Sequence, residues 1–267
     1  MMASCREDRP PAEALPDRRV DVLGVRVSAI DMGLALAHIE TWVERRSQHY
    51  VCVTGVHGVM EAQHDPELLR IHNESGMTTP DGMPIVWSGR LAGAGWMRRV
   101  YGPELVTALA AVASARGWRL FLYGGKERVA DLLADRLCSA HPGLEVVGTY
   151  SPPFRSLSPG EESEVDATID RARPDVLLVG LSTPKQERWM AAHAGRVEVP
   201  VMIGVGAAFD LLTGQVRQAP RWMQVCGLEW LYRLAQEPRR LGPRYLKANP
   251  AFVVNILRRR PRLLPLE

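Results

Sequence analysis

One carboxylate in the sequence stands where it could act as a general base. Asp81 belongs to the segment TPDGMPIVW, which is predicted to be a loop followed by an apolar run. A carboxylate in a partly apolar cleft can accept the proton of a hydroxyl group during catalysis. A turn residue or a helix cap has the same pattern, so the segment alone leaves both interpretations open.

Two glycine-containing segments could bind phosphate groups. Gly124 and Gly125 follow an apolar strand pattern in YGGKERV, and such a turn can place backbone N–H groups and a helix N-terminus around a phosphate. Gly206 and Asp210, in GVGAAFD, follow another such pattern and could line a second phosphate or base pocket. Neither segment matches GxGxxG or the P-loop. A tight turn, or close packing of glycine against a helix, is the alternative.

The segment TPKQE combines several groups that recognise polar ligands. It offers the hydroxyl of Thr183, the ammonium of Lys185, the amide of Gln186 and the carboxylate of the final Glu within a few residues. These groups suit the recognition of sugar hydroxyls and phosphates. The alternative is a polar helix start with Pro184 in its first turn.

Alternating strand and helix patterns place these segments at one edge of a sheet. Short runs rich in Val, Ile and Leu alternate with amphipathic stretches, the first of which Asp31 should cap. The pattern predicts an α/β fold that is Rossmann-like, with a mostly parallel sheet and helices on both faces. Ligands in such folds bind at the carboxyl ends of the strands, where Thr54 and the segments above lie. We therefore expect one shared site.

Positive charge is concentrated at the C-terminus. Residues 217–267 contain eleven Arg or Lys and three Glu, a formal charge of +8, whereas the whole chain carries +3. Such a segment indicates a polyanionic partner: phosphates, nucleic acid or an anionic membrane surface. Trp and Tyr interleaved with arginine favour the membrane interface over nucleic acid, and a solvated basic face is the alternative. The predicted organisation is a disordered leader at 1–19, an α/β domain at 20–215 and a basic, helical, membrane-proximal appendage at 216–267.

Residue spacing argues against several kinds of site. The four cysteines show no CxxC spacing and the seven histidines show no HExxH or HxH pattern, so neither a metal nor another cofactor is predicted. No signal peptide and no apolar run of membrane-spanning length is recognised. A reducing, cytoplasmic compartment is expected, any contact with a membrane would be peripheral, and a homo-oligomer is left open.

In this order, the motifs resemble those of the WecG/TagA/CpsF glycosyltransferases, which form glycosyltransferase family 26. The matching stretches span roughly residues 20–255 and are VTGVHGVMEAQHDPELLRI, TPDGMPIVW, RRVYGPEL, LFLYGG, PDVLLVGLSTPKQERWM, IGVGAAFD and APRWMQVCGLEWLYRLAQEPRRLGPRY. The resemblance implies an inverting, metal-independent transferase. It would move a hexose-type sugar (N-acetylmannosamine, its uronic acid, glucose or glucuronic acid) from a UDP-sugar to an undecaprenyl-diphosphate-linked acceptor, in bacterial exopolysaccharide or cell-surface polysaccharide synthesis.

The resemblance also implies roles for individual residues. Asp81 matches the proposed catalytic base of the family, and Thr54, Arg99 and Gln186 match further active-site residues. The residues expected to contact the substrates are Gly124, Gly125, Thr183, Lys185, Gly206, Asp210, Arg233, Arg239, Arg240 and Arg244. The arginines of the appendage would neutralise the leaving diphosphate, a task that needs a cation when no metal takes part.

Three positions depart from the family pattern. Val56 stands where many members have asparagine, Arg98 stands where glutamate is usual, and Ser182 lies near a frequent glycine. The first departure lies near the expected sugar pocket, so the donor sugar stays open. Together the departures favour a branch that serves exopolysaccharide assembly, with glucose or a uronic acid as the sugar.

Two other classes of protein are the alternatives. A nucleotide-sugar oxidoreductase or epimerase would be expected to carry GxGxxG and a Tyr-x-x-x-Lys pair, and the sequence contains neither. A non-catalytic membrane scaffold would use the basic C-terminal segment for docking alone.

Overall fold

The structure of the chain, a computed structural model, describes residues 18–265, apart from the side chain of Arg244. Most of the predicted leader, residues 1–17, therefore lies outside the described residues. Arg19, the last residue of that predicted leader, already begins the first strand.

Within this range the chain alternates strands and helices. The strands are β1 (Arg19–Val22), β2 (Val25–Ser28), β3 (His49–Thr54), β4 (Met77–Pro80), β5 (Arg119–Gly124), β6 (Glu145–Tyr150), β7 (Val176–Gly180), β8 (Val201–Gly204) and β9 (Arg262–Leu263). The helices are α1 (Met32–Arg45), α2 (Val56–Ala62), α3 (Pro66–Glu74), α4 (Met83–Leu91), α5 (Gly102–Arg116), α6 (Val129–Ala140), α7 (Pro159–Ala172), α8 (Lys185–His193), α9 (Ala208–Leu212), α10 (Arg221–Val225), α11 (Glu229–Gln236) and α12 (Pro238–Arg258).

Six strands form one parallel sheet in the order β4-β3-β8-β7-β5-β6. All of their carboxyl ends therefore meet at one edge, where an open α/β sheet binds its ligands. The predicted α/β, Rossmann-like fold with a mostly parallel sheet is confirmed. Its register brings the end of β3 beside the end of β4, since Thr54 pairs with Pro80.

Side chains of this sheet alternate between two cores. Val51 and Val53 of β3 pack on one face with residues of α1, α5 and α6. Tyr50 and Cys52 point to the opposite face, among residues of α7 and α8. Apolar side chains on both faces are what a parallel strand covered by helices requires, and they explain the near-continuous apolar runs of the sequence.

Helix starts follow the local sequence. Asp31 caps α1 as predicted, since its Oδ1 accepts a hydrogen bond of 2.9 Å from the Leu34 amide. Asp65 caps α3 in the same way, with Pro66 in the first turn. An aspartate at this position partners an amide that the helix itself leaves unsatisfied.

The segment that carries Asp81 differs from its prediction. Residues 77–80 form β4 rather than a loop, and the apolar run that follows is helix α4. The sequence MTTP is short and half polar, yet all four residues are buried, because β4 pairs with β3 and also packs against β2, where the Thr78 amide donates to Oγ of Ser28. Asp81 thus stands between a strand and a helix.

The C-terminal segment returns to the N-terminal strands. Strands β1 and β2 form an antiparallel hairpin, and β9 pairs with β1 through Val20 and Leu263. Phe252 of α12 is buried in the core beneath this hairpin, in a cluster that includes Val20 and Val27. Both ends of α12 are therefore tied to the body, the N-terminal end through α11 and the C-terminal end through β9.

Candidate functional site

A cavity of about 800 Å³ opens at the carboxyl ends of four adjacent strands. Asp81 follows β4, Gly55 follows β3, Gly206 follows β8 and Thr183 follows β7, and all four line it. Helices α4, α11 and α12 supply further lining residues. Segments that follow four of the strands therefore meet at one cavity, whereas Gly124 and Gly125, at the end of β5, do not line it.

Asp81 is held by backbone groups on both sides. Its amide donates to the carbonyl of Thr54 at 3.1 Å, and its Oδ1 accepts from the amide of Gly102 at 3.1 Å. Burial raises the pKa of Asp81 to about 6, and the charge of Glu229 adds to the shift. The hydrogen bond from Gly102 and the positive charge of Arg99 oppose it. At neutral pH the carboxylate is mostly ionised but more basic than an exposed aspartate.

Arg99 connects the body of the protein to the C-terminal segment. Its Nη1 lies 3.1 Å from Oε2 of Glu229, and its Nη2 donates to Oε1 of Gln224 at 2.7 Å. The guanidinium carbon lies 4.3 Å from the centre of the Tyr101 ring, and the Tyr101 hydroxyl donates to Oε1 of Glu229 at 2.7 Å. Arg99 lines the cavity, and its charge is paired with that of Glu229.

Glu229, Tyr101 and Gln224 are site residues that the sequence reasoning did not select. Tyr101 lies in RRVYGPEL and Glu229 in GLEWLYRL, both quoted for the family resemblance. The only signal for Glu229 was an acidic residue within a strongly basic segment. Their contact depends on chain positions 128 residues apart, which no local pattern reveals.

A second buried network fixes the amide of Gln186. Its Oε1 accepts from the Gly206 amide at 2.9 Å, and its Nε2 donates to Oε1 of Glu187 at 3.1 Å. The Thr183 hydroxyl donates to the same Glu187 oxygen at 2.8 Å. Because Glu187 is fully buried, its pKa is raised by desolvation. The predicted residues Thr183 and Gln186 therefore meet at the Glu187 carboxylate, and Gln186 in turn binds Gly206.

Thr54 lies behind the cavity rather than on its wall. Its hydroxyl is buried, 3.4 Å from Nδ1 of His72, and donates to the carbonyl of Cys52 at 3.4 Å. Burial lowers the pKa of His72 to about 4, so this imidazole is neutral. The neighbours Val53 and Gly55 line the cavity, whereas Thr54 reaches the site through its carbonyl, the acceptor for the Asp81 amide.

The predicted phosphate-binding glycines have a packing role in this structure. Gly124 and Gly125 have φ angles of +129° and +76°, and a Cβ on Gly124 would stand 2.5 Å from the Gly180 carbonyl oxygen. Glycine is needed there because β5 approaches β7 closely. Both residues, and the exposed Lys185, lie outside the cavity lining that the described residues form.

The four predicted arginines of the C-terminal segment differ in where they lie. Arg233 and Arg240 line the cavity, and Arg240 is paired with Glu237. Arg239 is exposed and does not contribute to the lining. Arg244 belongs to α12, and its side chain lies outside the described residues.

Two polar atoms on the cavity wall are without partners. Oδ1 of Asp210 and Nε of Arg233 are buried and make no hydrogen bond among the described residues. Both side chains belong to the lining. A buried polar atom without a partner is energetically unfavourable, so the pair suits a ligand that offers both donors and acceptors.

Residues 18–265 contain neither a grouping of metal ligands nor a membrane-spanning helix. No three His, Cys, Asp or Glu side chains in this part of the chain are grouped as ligands for one metal ion. No helix in the same range has both the length and the apolar composition needed to cross a bilayer.

Comparisons with known proteins all point to one family. The model of the glycosyl transferase WecG/TagA/CpsF family matches residues 20–264. The N-acetylglucosaminyldiphosphoundecaprenol N-acetyl-beta-D-mannosaminyltransferase of Bacillus subtilis (strain 168) is 30% identical over 194 residues, 73% of each chain. Enzymes of the same name from Bacillus spizizenii and Staphylococcus aureus (strain MRSA252) are 27% and 25% identical, over 84% and 89% of this chain and 84% and 92% of their own.

Proposed function

The chain belongs to the glycosyl transferase WecG/TagA/CpsF family, and on that premise we propose that it transfers a hexose-type sugar from a UDP-sugar to an undecaprenyl-diphosphate-linked acceptor. The observation that carries this proposal is the placement of Asp81. A carboxylate with a raised pKa lies in a cavity whose lining also includes Arg233 and Arg240. A base and cations in one cavity are what transfer from a diphosphate needs.

The proposed step is a single displacement. The acceptor hydroxyl oxygen attacks the anomeric carbon and forms the new C–O bond, while the bond from that carbon to the UDP oxygen breaks. Asp81 takes the hydroxyl proton, and UDP leaves with the bonding electron pair. Attack from the face opposite UDP inverts the anomeric configuration.

Arginines are proposed to take the part that a divalent cation plays in other transferases. Arg233 and Arg240 would bind the leaving diphosphate, to which guanidinium groups can donate in bidentate fashion. The unpartnered Nε of Arg233 supports this assignment. Turnover that is unchanged in EDTA is the expected result, and activity restored only by Mg²⁺ or Mn²⁺ would contradict it.

The relatives support the choice of acceptor, since their names specify N-acetylglucosaminyldiphosphoundecaprenol. The same names specify N-acetylmannosamine as the sugar transferred. Val56 and His57 line the cavity here, so the departure from the family pattern at Val56 lies where it can affect the donor. We propose glucose or a uronic acid as donors to be tested beside N-acetylmannosamine.

The decisive experiment is a donor and acceptor screen. Purified protein is given a panel of UDP-hexoses and N-acetylglucosamine diphosphate on a short lipid, and both released UDP and the disaccharide product are measured. Acceptor-dependent UDP release with one donor, and inverted product stereochemistry, are expected. UDP release that ignores the acceptor, or a retained anomeric configuration, would overturn the proposal.

We further propose that the protein lies peripherally on the cytoplasmic face of the membrane through residues 216–267. Ten arginines in this segment and the exposed ring of Trp222 support binding to an anionic surface. Co-sedimentation with vesicles that contain anionic lipid, reduced by high salt, is the expected result. Equal binding to neutral vesicles would contradict the electrostatic part of the proposal.

A further inference from the structure

The cavity changes character from one end to the other. Its polar end contains Asp81 and Arg233, whereas its other end lies between helices α4 and α12 and is apolar. We call this second part the apolar groove and define it by five lining side chains: Trp87, Leu91, Leu246, Val253 and Leu257. These five side chains are between 46% and 76% exposed, so the structure leaves much of their apolar surface uncovered.

Helix α12 presents both exposed and buried apolar side chains to the cavity. Leu246, Pro250, Val253 and Leu257 recur at helical spacing and line it. Phe252 also lines the cavity but is buried beneath the β1–β2 hairpin. The hairpin therefore covers part of this apolar surface, and the rest is open to the groove.

On the α4 side of the apolar groove, the turn between α10 and α11 packs against Trp87. A Cβ on Gly227 would stand 2.7 Å from Cη2 of Trp87, so this turn lies directly on the indole. The open apolar surface is thus concave, between two helices and a turn. A groove of this kind encloses an extended chain, whereas insertion into a bilayer requires a projecting surface.

The apolar groove is continuous with the proposed diphosphate site. Arg240 and Leu257 lie on the same helix and line the same cavity, separated by roughly 25 Å at the helical rise. A ligand with a diphosphate at Arg240 could therefore extend a hydrocarbon chain along α12.

From this continuity we propose that the apolar groove binds the first isoprene units of the acceptor's polyprenyl chain. The proposal rests on the proposed function, which supplies a lipid diphosphate as substrate. It assigns Leu91, Val253 and Leu257 to recognition of the lipid rather than to folding or to the transfer step.

Binding of simple prenyl diphosphates tests this assignment without any sugar transfer. Calorimetry with the two-, three- and four-unit prenyl diphosphates should show affinity rising at least about fivefold per isoprene unit, as burial of apolar surface requires. The double variant Leu91→Gln/Val253→Gln should lose most of this increase and keep its thermal midpoint, since both side chains are exposed. Val254→Gln is the matched control, because Val254 is 43% exposed on α12 but does not line the cavity.

Three other outcomes would each overturn the proposal. Affinity that is independent of chain length would mean that the arginines bind the diphosphate alone. A double variant that keeps the chain-length dependence but loses binding to lipid vesicles would assign this surface to the bilayer. A change of mass in sedimentation would assign it to a second copy of the chain. Failure of the proposed function is distinguishable, since it abolishes transfer to every acceptor without altering prenyl diphosphate binding.

Discussion

The two sides of the cavity are built by different means. On the sheet side, Asp81 and Gln186 are held by backbone amides and a buried carboxylate at the ends of parallel strands. On the appendage side, α11 buries none of its residues, and Arg233 and Arg240 come from helices that rest on the body. The comparison indicates that the edge of a parallel sheet suits side chains whose geometry must be fixed. A peripheral helical segment suits charge and apolar surface that meet a large ligand.

The two sides are joined by a few contacts. Arg99 and Tyr101 of the body both bind Glu229 of α11, and Arg221 of α10 pairs with Glu104 of the body. Glu229 also raises the pKa of Asp81. The appendage therefore influences the proposed base electrostatically from outside the sheet.

The sharpest test of the sheet side is Asp81→Asn. Asparagine keeps an acceptor for the Gly102 amide but cannot take a proton, so kcat should fall about 10²- to 10⁴-fold. Steady-state UDP release measures it, with Asp135→Asn on the exposed face of α6 as control. Wild-type turnover in the Asp81 variant would show that Asp81 is not the base.

The appendage side is tested by comparing neighbouring arginines. Arg233→Gln and Arg240→Gln should each lower kcat/KM about 10- to 100-fold, since a hydrogen bond to a charged group contributes ~1.5–3 kcal/mol. Arg239→Gln is the matched control, because Arg239 is exposed and outside the cavity lining. Equal losses in all three variants would point to the overall charge of the segment instead of a built site.

Asp81→Asn should also stabilise the folded protein at neutral pH. The folded pKa of about 6 lies above the ordinary value of 3.8, so ionisation of Asp81 opposes folding. This penalty in folding free energy is absent at pH values below 3.8 and reaches its full size at pH values above about 6. It amounts to on the order of 2 kcal/mol after allowing for solvent at the cavity mouth. In urea titrations at pH 7.5, the free energy of unfolding should be higher for the variant than for the wild type. At pH 3.5 the two free energies should be equal.

The smallest expected effect is a shift in the pH dependence of kcat/KM. Removing the negative charge in Glu229→Gln should lower the pKa of Asp81, so the acidic limb of kcat/KM, expected near pH 6, moves to lower pH. Glu237→Gln serves as control, since Glu237 also lies in the appendage but pairs with Arg240. An unmoved limb in Glu229→Gln would break the proposed coupling between the two sides.

Much of the site could be predicted because it follows strand ends. Gln186, Gly206 and Asp210 come shortly after apolar runs, and parallel strands bring such positions to one edge. Asp81 follows the half-polar β4, so no apolar run precedes it. Thr54 follows the same rule, yet its side chain turns toward His72 because successive residues of a strand alternate in direction. The rule predicts the edge but not the direction of a side chain at the last strand residue.

By itself, the sequence determined the parallel α/β fold, the helix caps and the family, because these depend on local periodicity, capping residues and ordered motifs. Only the tertiary structure decided that Glu187 holds Gln186, that Glu229 reaches Arg99 and that α12 faces α4 across an apolar groove. The physical reason is distance along the chain. Burial, desolvation and electrostatic shifts arise between segments that only folding brings together.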